Sequence, residues 1–179
     1  MEVVRRPSHR LRPRFAGAAA WLLVSVLGVI VDTAPGQTRA QTSSKAATIL
    51  FMCPHGAAKS VLASAYFQRE AKARGLKVRV VSAGTDPDAQ VSPAVASHLK
   101  KHGYEVPVAK PRRATADDTA MADVVISIGC DVQDLPAIRG KLQRWDDVPA
   151  PSEDFAAADA RIKQHVRELI DELVRRQPR

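Results

Sequence analysis

A short apolar segment that runs straight into a loop of small residues sets the strongest constraint on how this chain can fold. Residues 48–52 read TILFM, and Cys53 and the sequence PHGAAKS follow them. An apolar run of this length, closed by a glycine-containing loop, is typical of a buried strand, and residues 59–74 have the pattern of a helix. The pattern therefore predicts a strand, a tight loop and a helix, with the thiol of Cys53 at the carboxyl end of the strand.

The composition of this loop suits the binding of an oxyanion. Small residues let consecutive backbone N–H groups point into one concave site, and the start of the following helix adds a favourable dipole. A thiol in such a field favours its nucleophilic thiolate form. The predicted anion-binding residues are His55, Gly56, Ala57, Ala58 and Lys59.

Further strands and helices alternate along the rest of the chain. Three more strands are predicted at 78–81, where charge and valine alternate, at 123–128, which contains a buried apolar run, and at 142–145. Helices are predicted after Ser92 and Thr115, which are typical capping residues, and from residue 152 to about 176. This alternation predicts an α/β fold with a four-stranded parallel sheet flanked by helices, in the flavodoxin-like strand order 2-1-3-4.

The strand order also predicts where a ligand would bind. Such sheets bind ligands beyond the carboxyl ends of their strands, where the strand order reverses. Cys53 ends the first strand and Cys130 follows the third. We therefore expect both thiols to face one crevice. The alternative for two cysteines in an exported domain is a structural disulfide.

The first 40 residues have the pattern of an export signal. Five arginines precede the charge-free residues 15–31, and small residues lead up to Ala40. The apolar stretch is intermediate in length between a signal core and a spanning helix, so a cleaved signal and an uncleaved anchor both stay open. Either would place the rest of the chain outside the cytoplasm, as a periplasmic, secreted or membrane-anchored domain. We expect a signal or anchor at 1–40, a linker at 41–46 and one domain at 47–179.

The charge of the chain does not indicate a nucleic-acid-binding protein. Half of the net charge of +8 lies in residues 1–40, and the remainder forms no basic stripe with aromatic residues. Contact with a membrane is expected only through the amino-terminal segment. His98 and His102 have a spacing that metal sites use, but no third ligand accompanies them, so we expect neither a metal nor a cofactor.

Residues 46–174 resemble the low-molecular-weight phosphotyrosine phosphatases and the related thiol-dependent arsenate reductases. The resemblance lies in the Cys53 loop, in VSAGT at 81–85 and in ADVVISIGC at 122–130. The His in the loop is shared with some of the arsenate reductases. The resemblance implies that Cys53 is the nucleophile, Lys59 the cation that holds the oxyanion and Ser60 the hydrogen-bond partner of the thiolate.

Three positions depart from the pattern of these families. Lys59 stands where the family has Arg, and it offers a point charge in place of a planar fork. Gly56 stands where Asn is usual, and glycine reaches the same backbone conformation without a bracing side chain. The Asp-Pro pair of the general acid reads Ala150-Pro, so Asp147 or Asp146 would have to take the part of the acid.

These residues leave three functions open. The first is a cysteine-dependent phosphatase for phosphotyrosine or a small aryl phosphate, acting through a cysteinyl-phosphate. The second is an arsenate reductase in which Cys130 resolves the adduct on Cys53. Residues 131–137 contain no further cysteine, so such a reductase would need an external thiol to return to its reduced form. The third is a module that binds phosphate or phosphorylated ligands without turnover, because Lys59 and Ala150 weaken the chemistry.

Overall fold

The computed structural model describes residues 46–130 and 138–176. The predicted signal or anchor, and the linker apart from Ala46, lie outside these residues. The elements in chain order are β1 (Ala47–Cys53), α1 (Lys59–Ala73), β2 (Val78–Gly84), α2 (Pro93–Lys101), α3 (Ala116–Met121), β3 (Val124–Ser127), β4 (Lys141–Arg144) and α4 (Phe155–Arg176). No helix in the described part of the chain is long and apolar enough to cross a membrane.

The four strands form one parallel sheet in the order β2-β1-β3-β4, which confirms the predicted fold. Cys53, at the end of β1, pairs with Gly84 at the end of β2. On the other side of β1, Met52 pairs with Ser127 of β3. The carboxyl ends of three strands therefore meet at one edge, where the strand order reverses.

Two apolar clusters cover the two faces of the sheet. Ile49 and Phe51 of β1 belong to the larger cluster, together with residues of α1, α2 and α4. Leu50 and Met52 point the other way, as alternate residues of a strand must, and belong to a smaller cluster. The ring of Phe51 lies 5.5 Å from that of Phe67, between ring centroids. This packing on both faces fixes the end of β1, and with it the thiol.

Local signals predicted most ends of the helices and strands, with two differences. Thr115 caps α3 as predicted, in a capping box with Asp118. Ser92 precedes α2, but its side chain makes no capping hydrogen bond. Its backbone N–H bonds the carbonyl oxygen of Ala57 at 3.0 Å. β4 begins and ends one residue earlier than predicted, so Trp145 lies just after the strand. The N–H of Trp145 still donates a hydrogen bond to the carbonyl oxygen of Ser127 at 2.8 Å.

The chain after β2 braces the loop 54–58 from the outside. Three carbonyl groups of the loop accept hydrogen bonds from backbone N–H groups of residues 86–92. The pairs are Pro54 with Asp86 at 2.8 Å, His55 with Asp88 at 3.0 Å and Ala57 with Ser92 at 3.0 Å. Because the C=O and N–H of a trans peptide point in opposite directions, these bonds point the N–H groups of the same peptides away from residues 86–92.

Two glycines meet where the loop passes the end of β2. Gly56 has a φ of +59°, a conformation that side chains disfavour. A Cβ on Gly84 would lie 2.6 Å from the nitrogen of Gly56, and a Cβ on Gly56 would lie 2.8 Å from the nitrogen of Gly84. Backbones pass this closely only without side chains, so the shape of the loop depends on both glycines.

We expect Gly84→Ala to lower the free energy of unfolding by about 1–3 kcal/mol and to abolish phosphate binding, because the new methyl group would overlap backbone atoms that no rotamer change can move. Denaturant unfolding and phosphate titration measure the two effects. Gly75→Ala is the control for phosphate binding: its φ of +65° means that alanine also costs stability there, but an added Cβ would meet nothing within 4 Å, so binding should be unchanged. Unchanged phosphate binding in Gly84→Ala would contradict the proposed dependence of the loop on this contact.

Candidate active site

The thiol of Cys53 is almost fully buried, with 2% of the residue exposed. Its Sγ lies 3.2 Å from Oγ of Ser60 and accepts a hydrogen bond from the N–H of Ser60 at 3.4 Å. Ser60 is fully buried in the first turn of α1. A hydroxyl and an amide at a helix amino terminus stabilise negative charge on sulfur. The structure thus brings together the predicted nucleophile and its predicted hydrogen-bond partner.

The backbone of the loop offers hydrogen-bond donors beside this sulfur. Within the described residues, the N–H groups of His55, Ala57 and Ala58 bond no backbone acceptor, whereas Gly56 N–H bonds Cys53 O at 3.3 Å. Ala58 is also the N-cap of α1 and provides no side-chain cap. These free donors at a helix start can bind the oxygens of an anion.

Lys59 reaches across the edge of the sheet. Its Nζ donates a hydrogen bond to the carbonyl oxygen of Val148 at 3.4 Å. A Cβ added to Gly129 would lie only 2.8 Å from the same Nζ, so the ammonium group rests against the turn after β3. A neutral carbonyl is a weaker partner for an ammonium group than a charged oxyanion. An anion in the loop can therefore compete for Lys59.

A cleft of about 460 Å³ opens above the thiol. The loop forms its floor, and the segments before α2 and around the start of α4 form its walls. The wall residues include Asp88, Ser92, Ala94, Pro151, Ser152 and Phe155. The sequence reasoning missed Asp88 and Phe155. The signal for Asp88 was its place just after β2, a strand that ends at the same edge as β1.

Asp147 lies outside this cleft and lines a different depression. Its carboxylate bonds Nε2 of His165 at 2.8 Å and Nε of Arg161 at 3.2 Å, both on α4. Burial raises the pKa of Asp147, but these two partners outweigh it and hold the pKa below its ordinary value. A carboxyl group of this kind is ionised at neutral pH and has no proton to donate. Asp146 is likewise paired, with Arg144 at 2.9 Å, so the structure brings neither predicted acid to the thiol.

Cys130 is buried in the smaller apolar cluster, whereas Cys53 belongs to the larger one. Both thiols are free. Cys130 does not line the cleft that Cys53 lines, so the expectation that both thiols face one crevice is not met for Cys130. It is 4% exposed and follows Gly129, which has a φ of +64°. Its Sγ lies 3.3 Å from Oγ of Ser127.

The electrostatics of Cys130 connect it to the loop. Burial raises the pKa of the Cys130 thiol, and the hydrogen bond with Ser127 partly offsets this rise. The negative charge of Cys53 raises the same pKa further, and the ammonium group of Lys59 lowers it. Cys130 therefore lies within electrostatic range of both loop residues, although it does not line the cleft.

The two helical histidines serve packing and hydrogen bonding. The rings of His98 and His102 lie 4.3 Å apart, between ring centroids, and Nε2 of His98 lies 3.1 Å from the hydroxyl of Tyr66. Among the residues that the structure describes, no three His, Cys, Asp or Glu side chains gather where a metal ion could bind.

Comparison with known proteins agrees with the fold. Residues 48–178 match the family model for low molecular weight phosphotyrosine protein phosphatase. A putative arsenate reductase of Halobacterium salinarum is 28% identical over 127 residues, which are 68% of this chain and 89% of that protein.

Solved structures extend the comparison. The thioredoxin-dependent arsenate reductase Cg_ArsC1′ of Corynebacterium glutamicum is 30% identical, with a TM-score of 0.64 over 75% of this chain. The match spans only 65% of the length of that protein. The low molecular weight phosphotyrosine phosphatase VcLMWPTP-2 of Vibrio cholerae is 20% identical, with a TM-score of 0.64 over 72% of this chain and 97% of its own, and shows the shared fold. The chain belongs to the low molecular weight phosphotyrosine protein phosphatase family.

Proposed function

We propose that this domain is a thiol-dependent arsenate reductase in which Cys53 attacks arsenate and Cys130 resolves the adduct. The observation that carries the proposal is a second free, buried thiol, Cys130, in the turn after β3, the strand that pairs with β1. The arsenate reductases at 28% and 30% identity support it. The phosphatase from Vibrio cholerae supports only the fold, because it is 20% identical.

The first step is attack of the Cys53 thiolate on arsenic. An As–S bond forms and an As–O bond breaks, and the departing oxygen leaves as water once it has gained its protons. The free N–H groups of the loop and the ammonium group of Lys59 would hold the remaining oxygens. Ser60 supports the sulfur through its hydroxyl and its N–H group.

The second step is attack of Cys130 on the sulfur of Cys53. The S–As bond breaks and its electron pair stays on arsenic, so As(V) becomes As(III) and the two cysteines become a disulfide. Because Cys130 is buried and outside the cleft, the turn at Gly129 must move for this attack. An external dithiol then reduces the disulfide.

A second candidate function is the hydrolysis of an aryl phosphate through a cysteinyl-phosphate. The specific observation in its favour is the wall of the cleft, where Phe155, Pro151 and Ala94 present apolar surface beside the loop. Apolar walls of this kind can hold an aromatic ring. A good leaving group would be needed, since Asp147 is held away from the thiol.

A single-turnover experiment tests the reductase directly. The full chain is reduced, freed of reductant and mixed with arsenate, and arsenite and free thiols are then counted. The chain has two cysteines, so we expect about one arsenite per chain and the loss of both thiols. Cys53→Ser and Cys130→Ser should each form no arsenite, and only Cys130→Ser should retain a reactive thiol.

Other outcomes would assign the site differently. Full arsenite formation by Cys130→Ser would contradict its part as the resolving thiol. Absence of arsenite from the parent chain, with Cys53-dependent hydrolysis of 4-nitrophenyl phosphate, would favour the phosphatase. Absence of both reactions, with measurable phosphate binding, would reduce the domain to a binding module.

The cation of the loop gives a second prediction. We expect Lys59→Met to raise the dissociation constant for arsenate about 10- to 100-fold, because a hydrogen bond to a charged group contributes about 1.5–3 kcal/mol. Equilibrium titration measures the change. Lys72→Met is the matched control, as an exposed lysine on the same helix. Equal affinity of Lys59→Met and the parent would show that Lys59 does not hold the anion.

A further inference from the structure

We propose that His55 and Asp88 form the proton-donating pair of this site, in which His55 is a catalytic residue that protonates the leaving oxygen and Asp88 positions it. The inference rests on the proposed function, since it supplies the proton that attack on arsenate requires. It gives the side chain of His55 a part distinct from that of its backbone N–H, and it brings in Asp88, which the loop pattern does not include.

The two residues are tied together twice. Nδ1 of His55 lies 3.2 Å from Oδ1 of Asp88. The backbone N–H of Asp88 donates a hydrogen bond to the carbonyl oxygen of His55 at 3.0 Å. The backbone bond holds Asp88 beside the loop whatever the state of the side chains. A carboxylate fixed in this way orients the imidazole ring and its two nitrogens.

The pair also lies where a proton is needed. His55 and Asp88 line the same cleft as Cys53, and His55 is only two residues from the thiol along the chain. Within the described lining, Asp88 is the only carboxylate and His55 the only imidazole. Lys59 is the cation that shares this lining. The nearby Asp86 is turned to Arg113, at 3.2 Å, and does not compete for His55.

The chemistry follows from which ring nitrogen is occupied. Asp88 takes Nδ1, so the proton on Nε2 of the imidazolium is the one available to a ligand. As sulfur bonds to arsenic, the As–O bond breaks, its electron pair stays on oxygen, and that oxygen takes the proton from Nε2 and leaves as water. His55 is then neutral and regains a proton from solvent. The side chains of His55 and Asp88 are 64% and 54% exposed, which permits this exchange.

The pair takes the part of the acid that the sequence assigned to Asp147. The carboxylate of Asp147 is occupied by His165 and Arg161 on α4. A site that lacked any acid would expel hydroxide, which is a poor leaving group. General acid catalysis typically contributes a factor of about 10² to 10⁴. His55 therefore accelerates the first step by supplying the proton that the leaving oxygen needs.

The test uses the full chain and the single-turnover rate of arsenite formation at saturating arsenate. We expect His55→Ala to lower this rate about 10²- to 10⁴-fold, with little change in the arsenate concentration for half saturation. Added imidazole should restore part of the lost rate. Asp88→Asn should lower the rate less, because the acid remains but loses its orienting charge. His102→Ala, which removes an exposed histidine outside the cleft, should leave the rate unchanged.

An unchanged rate in His55→Ala would overturn the inference while leaving the reductase intact. The inference would also be overturned if the rate of His55→Ala fell together with its affinity for arsenate and imidazole did not restore the rate, because His55 would then only bind the anion. If the parent chain forms no arsenite, the proposed function fails, and the same variants are then assayed with phenyl phosphate and 4-nitrophenyl phosphate as substrates. His55→Ala should then slow phenyl phosphate far more than 4-nitrophenyl phosphate. Equal slowing of the two, or no turnover of either by the parent, would overturn the inference as well.

Discussion

The close approach of two backbones, at Gly56 and Gly84, is the contact on which the rest of the site depends. It lets the loop after β1 lie flat against the end of β2, where a side chain at either position would collide with main-chain atoms. The chain after Gly84 can then bond the loop carbonyls of Pro54, His55 and Ala57 from outside. The resulting orientation of the peptides leaves N–H groups available beside the buried thiol, which is the condition for holding an oxyanion there.

The chemistry of the site is divided among the strand ends that meet at this edge. β1 supplies Cys53 and its loop, and the chain after β2 supplies Asp88, while the turn after β3 carries Cys130, which is buried outside the cleft. The loop after β4 supplies a carbonyl oxygen, that of Val148, to Lys59. The site retains a thiol, N–H donors and a cation, whereas Asp147 on the loop after β4 is paired with α4; the proposed proton donor is therefore the pair His55 and Asp88.

Local patterns predicted the sheet order and the cap at Thr115, because each depends on residues that are close in sequence or on strand alternation. The contact of Cys53 with Ser60 was instead implied by the resemblance to the phosphatases and arsenate reductases. The sequence could not show that Asp147 is bound by α4, since those partners lie 14 and 18 residues further along the chain and meet it only in the folded state. The orientation of Cys130 depends on one left-handed turn, which no periodicity reveals.

The central claim is that the loop holds an oxyanion directly beside the thiolate of Cys53. The rate at which iodoacetamide alkylates Cys53 tests it most directly, measured in the Cys130→Ser chain so that one thiol is present. The account predicts that inorganic phosphate and arsenate slow the alkylation in a saturable way, because the bound anion covers the sulfur and occupies the loop donors. An alkylation rate that does not change at any concentration of either anion would contradict it.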